Sequence, residues 1–337
     1  MGICAKDTHV IDELLKGIEA KNCKFTRQSS FAEYLGIKYV TLPDGSIKMS
    51  QPGLIKKIIE TAGMTRCNPR DNPTTQQALG SNPDGNEMTD PWNYRSIVGM
   101  LLYLSGNTRP DIQFAVSQVA RFSHCPKQSH ANAVKLILQY LKSSSDEGCI
   151  FKPTNSIKLD MFVDADFAGL WGVEPPTSSI SVKSRTGYLI ALSGCYIISK
   201  SGLQSSIAQS TGESEYIALS QSLRSLLPIQ ATLSEIIESL NIPSRFKSNF
   251  PSNVKSNFST FVHEDNNSAL MLATEQRITP RTKHYAVKLH WFWSIINDPN
   301  NFISVVKIDT NLQQADYLTK GLATPVFKQR RKLSQGW

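Results

Sequence analysis

The hydrophobic pattern of the chain changes near residue 159, and this change limits the folds open to it. Upstream, apolar residues recur at helical spacing over 94–104, 111–123 and 130–142. Downstream, the spacing predicts three strands, one helix, one strand, two helices, one strand and a final helix. That order predicts one mixed α/β domain in the C-terminal half.

The downstream segments have the lengths and turn signals of a packed sheet. The spacing predicts strands over 159–167, 188–192, 195–199, 261–263 and 302–308. Three of the predicted helices have defined ranges: 211–240, with a kink or interruption at Pro228, 283–296 and 311–320.

In the first third of the chain, the hydrophobic pattern predicts shorter helices and strands. A helix is expected over 11–19, a strand over 31–40 that forms a hairpin with a return strand from Ile47, and a helix from Gln51 to Gly63. Residues 66–91 are rich in Pro, Asn, Thr, Asp and Gly and predict a surface linker. We therefore divide the chain into 1–65, a linker and helical region 66–155, an α/β domain 156–322 and a basic tail 323–337.

Composition and charge exclude several classes of protein. Apolar residues make up 40% of the 337 residues, which excludes a wholly disordered chain. The net charge of +8 is compatible with binding to nucleic acid but does not establish it. Six cysteines are scattered without a CxxC pair, so neither a zinc knuckle nor a disulfide framework is predicted.

Targeting signals are lacking in the sequence. The longest apolar run, 97–104, is far shorter than the roughly 20 residues of a membrane span. Asp7 lies where a secretory signal needs an apolar core, and Lys6 where a myristoylation signal needs Ser or Thr. We therefore expect an intracellular location, in the cytoplasm or nucleus, and no membrane partner.

Four carboxylates lie where packing alone does not require them. Asp164 lies inside an apolar strand, Glu215 on a helix beside apolar residues, Asp265 after a strand, and Asp316 at the start of the last predicted helix. An acid in an apolar strand is costly unless it is hydrogen-bonded or binds a cation. Four carboxylates that converge would require divalent cations between them, and ligands that are all oxygen favour Mg²⁺ or Mn²⁺.

Six motifs occur in an order and spacing that resemble the ribonuclease H domain of copia-type retrotransposon Pol polyproteins. They are VDADFAG, KSRTGYLIALSGCYIISKS, QSTGESEYIAL, EDNNSAL, TPRTKHYAVKLHWF and QQADYLTKGL. The segment 94–142 is similar to the region that joins reverse transcriptase to ribonuclease H. Two further segments are similar to the end of the reverse transcriptase itself, FAEYLGIKYV and MSQPGLIKKIIETAGM. The resemblance covers nearly the whole chain.

The resemblance implies a fold, a reaction and a set of catalytic residues. The fold would be a ribonuclease H-like mixed sheet flanked by helices. Asp164, Glu215, Asp265 and Asp316 would bind two Mg²⁺ or Mn²⁺ ions. These would activate a water and stabilise the leaving oxygen during cleavage of the RNA strand of an RNA/DNA hybrid. The remainder of the Pol polyprotein is a further expected partner.

Several alternatives stay open at this stage. Asp166 competes with Asp164 as the first ligand because the two lie on the same strand face. Glu213 competes with Glu215, although a first-turn helix position explains it. Glu264 is expected to point away from Asp265.

Basic residues give a second, weaker signal. Arg277, Arg281, Lys283 and His284 are candidates for contacts to the nucleic-acid backbone, or form a solvated face. The basic tail either assists binding to nucleic acid or is simply solvated; its basic residues are Lys328, Arg330, Arg331 and Lys332.

The polymerase resemblance lacks its catalytic residues. In the family a Tyr-Val-Asp-Asp-like motif immediately precedes the segment that begins this chain, and these 337 residues contain no adjacent pair of aspartates. We therefore expect no primer extension, and exposed apolar faces in 31–40 and 54–59. Two hypotheses remain: a metal-dependent nuclease, or a non-catalytic, nucleic-acid-binding remnant of a decayed element.

Overall fold

The computed structural model describes residues 7–25, 32–240, 258–276, 283, 286–298 and 301–337. Its helices are α1 (Thr8–Glu19), α2 (Pro52–Thr61), α3 (Tyr94–Asn107), α4 (Gln113–Ala120), α5 (Gln128–Ser143), α6 (Thr211–Ser239), α7 (Asn267–Thr274), α8 (Ala286–Ile296) and α9 (Thr324–Gln335). Its strands are β1 (Glu33–Tyr34), β2 (Ile37–Thr41), β3 (Ile47–Ser50), β4 (Gly148–Phe151), β5 (Lys158–Asp166), β6 (Arg185–Leu192), β7 (Cys195–Leu203), β8 (Ser259–Glu264) and β9 (Ile303–Lys307).

The C-terminal half forms a five-stranded mixed sheet in the order β7-β6-β5-β8-β9. Strands β5, β6 and β7 pair antiparallel, whereas β5, β8 and β9 run parallel. The carboxyl ends of β5 and β8 therefore meet at one edge, where α/β folds place functional groups. This architecture, a mixed sheet flanked by helices, confirms the predicted fold class.

Both faces of this sheet are covered. On one face, alternate residues of β5 such as Met161 and Val163 pack in a core with α6 and α8. On the other face, Phe162 and Leu189 belong to a second core that includes the helical segment α2 to α5. The two cores explain why most of β5 is buried on both sides.

The N-terminal strands form a separate antiparallel sheet, β1-β2-β3-β4. The single strand predicted over 31–40 is wrong. Leu35 and Gly36 adopt positive φ angles of 51° and 74°, and this turn folds β1 back onto β2. Glycine tolerates this conformation at little cost, which makes the reversal possible.

Helix α2 has packing partners, contrary to the expectation of an exposed face over 54–59. Ile55 and Ile58 are fully buried in the core shared with α3 and α5. Those two helices cover the apolar stripe that the sequence left unassigned. Helix α1, in contrast, has no buried residue.

The final helix predicted over 311–320 is wrong. The chain instead forms two short 3₁₀ turns, Thr310–Leu312 and Asp316–Leu318. Between them Gln313 is fully buried, and its side-chain amide donates to the carbonyl oxygen of Val163 at 2.8 Å. This bond to β5 holds Gln313 in an extended conformation (φ −66°, ψ 102°) that a continuous helix could not adopt.

The predicted basic tail contains helix α9, which packs on the second core through Phe327. Beneath it lies a fully buried ion pair, in which Arg109 contacts Asp111 at 2.8 Å. The last residue, Trp337, lies against the Arg109 guanidinium at 5.1 Å and the Arg331 guanidinium at 3.6 Å. The proposed domain boundaries stay a prediction. No helix among the described residues is long and apolar enough to cross a bilayer.

The contrast between α1 and α2 predicts different responses to truncation of their side chains. Ile58→Ala removes a fully buried side chain and should lower the free energy of unfolding by about 2–5 kcal/mol. Leu14→Ala, at a position 47% exposed, should change it by less than about 0.5 kcal/mol. Urea unfolding of both variants measures this, and equal losses would contradict the packing described for α2.

Candidate metal and active site

Asp164 lies near the carboxyl end of the central strand β5 and is only 5% exposed. Its partner in the register is Gly187 of β6. A Cβ atom on Gly187 would lie 2.6 Å from the Thr319 side chain, so the missing side chain lets the turn at 318–319 approach the strand. The Thr319 hydroxyl then donates a hydrogen bond to the Asp164 carboxylate.

Two buried glutamates lie beside this strand end. Glu215 projects from α6, and the backbone N–H of Ala165 offsets part of the rise in its pKa. Glu264 ends β8 and accepts one from the backbone N–H of Asn266 at 2.9 Å. The second carboxylate oxygen, Oε2, of each residue has no hydrogen-bond partner among the described residues.

The pKa values indicate that these carboxylates share one electrostatic environment. Burial raises the pKa of Asp164 to about 6, with Asp316 and Asp265 adding to the increase. Burial also raises the pKa of Glu215 well above its ordinary value, reinforced by Asp164, Glu264 and Asp265. The four predicted residues therefore lie at one edge of the sheet, and Glu264 joins them.

Asp316 is the member of the cluster that has cationic partners. It is 6% exposed and opens the second 3₁₀ turn. Its Oδ1 atom lies 2.7 Å from the Lys320 ammonium, and its Oδ2 atom lies 3.7 Å from Nε of Arg330. Burial lowers the pKa of Lys320, but Asp164, Asp316 and Asp166 outweigh burial and raise it above its ordinary value.

The donor set fits a hard divalent cation. Each member is a carboxylate, and two buried carboxylate oxygens lack hydrogen bonds, which is costly unless a cation or proton satisfies them. Within the described part of the chain, no three Asp, Glu, His or Cys side chains are already spaced as a metal centre. The described residues therefore provide candidate ligands and not a formed metal centre.

The alternatives from the sequence lie in different surroundings. Asp166 is half-buried, reaches over Gly169 and is paired in register with Arg185. Glu213 accepts a hydrogen bond from the backbone N–H of Gln209 at 2.8 Å at the start of α6. Asp164, by comparison, raises the pKa of both Glu215 and Glu264. The assignment of ligands stays a prediction.

Sequence reasoning missed Glu264, Thr319 and Lys320 as parts of this site. Strand alternation places Glu264 on the same sheet face as Val262, below α6, which is the direction of Glu215. The alternation of β8 therefore indicates the direction of Glu264. It identifies Glu264 as part of the site only once α6 is known to cover this face of the sheet. Thr319 and Lys320 follow Asp316 closely, and their contacts depend on the 3₁₀ turn that periodicity did not predict.

The basic candidates are only partly described. Lys283 is exposed, and Arg277, Arg281 and His284 lie outside the described residues. Several basic residues of 323–337 have partners within the chain. Lys328 pairs with Asp71 at 2.7 Å, and Arg330 is 3% exposed.

No protein-family model matches the chain. It is 30% identical to the retrovirus-related Pol polyprotein from transposon TNT 1-94 of Nicotiana tabacum, over 99% of the chain and 23% of that polyprotein. It is 29% identical to the Pol polyprotein from transposon RE1 of Arabidopsis thaliana, over 88% of the chain and 18% of that protein. An uncharacterized mitochondrial protein of Arabidopsis thaliana is 32% identical over 62% of the chain and 82% of its own length.

The chain is homologous, over most of its length, to retrovirus-related Pol polyproteins of copia-type transposons. It spans about a fifth of the length of the two polyproteins above. This Pol-related chain also matches solved ribonucleases. RNase H1 from Halobacterium salinarum NRC-1 matches at 11% identity with a TM-score of 0.29, over 48% of the chain and 94% of that structure. LC11-RNase H1 in complex with an RNA/DNA hybrid matches at 14% identity with a TM-score of 0.30, over 48% and 93%.

The raised pKa of Asp164 predicts a pH-dependent effect of its replacement. The folded protein binds a proton at Asp164 more tightly than the unfolded chain does, because the pKa of this group is higher in the folded state. The protonated carboxyl therefore stabilises the fold at low pH, and this contribution to the free energy of unfolding is lost as the pH rises from about 4 through 6. In EDTA, Asp164→Asn should therefore gain stability relative to wild type as the pH rises from 4.5 to 7, by about 2 kcal/mol.

Urea unfolding at both pH values measures this gain. Asp146→Asn, at an exposed position after α5, is the control and should show no such change with pH. A constant difference between Asp164→Asn and wild type across this range would contradict a strongly raised pKa.

Proposed function

We propose that the chain carries a divalent-metal-dependent ribonuclease H-type activity, which cleaves the RNA strand of an RNA/DNA hybrid. One observation carries the proposal: Asp164, Glu215, Asp265 and Asp316 gather at the carboxyl edge of β5 and β8, with Asp164 and Glu215 buried and shifted to high pKa. Such clusters are a hallmark of functional sites because packing gains nothing from them. The similarity to Pol polyproteins over most of the chain is consistent with this substrate class.

The four carboxylates would hold two Mg²⁺ or Mn²⁺ ions, which supply an activated water and stabilise the leaving 3′ oxygen. The chain's own groups prepare the ligands. The Thr319 hydroxyl fixes the Asp164 carboxylate, and the backbone N–H of Asn266 fixes the neighbouring Glu264. Because β5 and β8 are central strands of the sheet, Asp164 and Asp265 have little freedom to drift apart.

A second candidate is a remnant that binds nucleic acid without cutting it. The observation in its favour is that the Lys320 ammonium already lies 2.7 Å from the Asp316 carboxylate. A site whose charges are met internally can persist without a metal ion. The two candidates differ in whether hybrid RNA is cut, and not in the fold.

Replacement of Asp164 tests the activity. With Mg²⁺ or Mn²⁺, wild type should cut the RNA strand of a labelled hybrid and spare the DNA strand, since the 2′-OH marks the RNA strand. Asp164→Asn retains the size of the side chain but removes a ligand charge, so cleavage should fall at least about 100-fold. Gel analysis of the products measures this, and Asp146→Asn should cut like wild type.

Two outcomes would decide against the nuclease. If Asp164→Asn cuts as well as wild type, the site is misassigned or the activity is a contaminant. If wild type binds the hybrid but does not cut it under any metal condition, the non-catalytic remnant is the better account. Circular dichroism of each variant shows whether the fold is retained.

The basic cluster is proposed to contact the phosphates of the hybrid. Joint replacement of Arg277, Arg281 and Lys283 by Gln should weaken binding and flatten its dependence on salt. The log–log slope should fall by about one for each phosphate that the variant no longer neutralises. Fluorescence anisotropy with Asp164→Asn as background measures binding without cleavage.

A charge-matched triple replacement is the control for this experiment. Lys16, Lys56 and Lys57 are exposed on α1 and α2, and their joint change to Gln removes the same net charge. If both triple variants change the slope equally, the effect is one of net charge and the proposed contacts are wrong.

A further inference from the structure

Lys320 is a cation placed among carboxylates that the proposed reaction reserves for metal ions. Its ammonium lies 2.7 Å from Asp316, and Asp164 and Asp166 also favour its charged form. The side chain remains 47% exposed, so it reaches the cluster from the solvent side and has room to withdraw. The four-carboxylate assignment gives this residue no role.

The neighbouring residue fixes the position of Lys320. Thr319 is fully buried and hydrogen-bonded to Asp164, and its backbone N–H bonds to the carbonyl oxygen of Asp316. The backbone at 319 is therefore held against β5, and the next side chain starts from a fixed point. This turn delivers a hydroxyl to one carboxylate and an ammonium to another.

Two other cations near the cluster, Arg330 and Arg185, cannot act in the same way. Arg330 is 3% exposed and donates to the carbonyl oxygens of Thr310 and Asn311, which holds it 3.7 Å from Asp316. Arg185 is 4% exposed, bonded to Ser117 and paired in register with Asp166. Both arginines are fixed in the core, whereas Lys320 is partly exposed.

We propose that Lys320 is a built-in counter-ion, which neutralises the carboxylates in the metal-free protein and is displaced when a divalent cation binds. This proposal rests on the proposed function, because it assumes that the same carboxylates bind that cation. It explains how buried like charges are tolerated at this edge of the sheet before a metal ion arrives. It also makes Lys320 a competitor of the metal rather than a helper.

The competition predicts two effects of opposite sign for Lys320→Gln. In EDTA the variant should melt at a lower temperature than wild type, because the carboxylates lose their counter-ion. Its affinity for Mn²⁺ should instead rise, by about 10-fold, since a positive charge has been removed from beside the site. Added Mn²⁺ should therefore remove the deficit in melting temperature.

The experiment uses the full chain and Mn²⁺ alone as the probe. Isothermal titration calorimetry gives the affinity, and thermal melting by circular dichroism gives the stability with and without Mn²⁺. Lys328→Gln is a closely matched control, because Lys328 is 46% exposed and lies 2.7 Å from its own carboxylate, Asp71. It should change neither the affinity for Mn²⁺ nor its effect on melting. Lys320→Arg retains the charge and should stay close to wild type.

The outcomes separate the two proposals. If wild type does not bind Mn²⁺, the proposed function and the competition both fail. If wild type binds Mn²⁺ and Lys320→Gln binds it equally or more weakly, the metal site stands and the counter-ion proposal is overturned. If Lys320→Gln binds more tightly but is as stable as wild type in EDTA, Lys320 does not neutralise the metal-free cluster, and the proposal is likewise overturned.

Discussion

Repulsion between carboxylates at one edge of the sheet is the constraint to which the surrounding structure responds. The parallel arrangement of β5 and β8 brings Asp164 and Asp265 together, and α6 adds Glu215. Buried charges of one sign are costly, and three of these carboxylates have specific partners. The Thr319 hydroxyl donates to Asp164, the backbone N–H of Asn266 donates to Glu264, and the Lys320 ammonium lies beside Asp316. Gly187 belongs to the same response, because its missing side chain admits the turn that carries Thr319.

The sequence predicted the sheet and its acidic residues because both depend on short-range patterns. Apolar alternation identified β5 and β6, and an acid inside an apolar strand identified Asp164. Prediction from the sequence failed where long-range contacts overrode the local conformational preference. Gln313 leaves the helical conformation because it bonds to β5, and Glu264 joins the site only because α6 covers that face. Neither contact has a local signature.

The segments that resemble the end of a polymerase are not all separate from the α/β domain. Ile55 and Ile58 share a core with α3 and α5, and that core continues onto Phe162 and Leu189 of the sheet. Helix α1 is the exception, since its apolar residues are at least partly exposed. Damage to α2 would thus reach the sheet that carries the site, whereas damage to α1 would not.

The position of Trp337 has a practical consequence for handling the protein. Its ring covers two guanidinium groups, one of which is the fully buried Arg109. A bulky group introduced next to Trp337 would disturb this stack and admit water to the Arg109–Asp111 ion pair, which is shielded from solvent. An affinity tag is therefore better placed next to α1, a helix that has no buried residue.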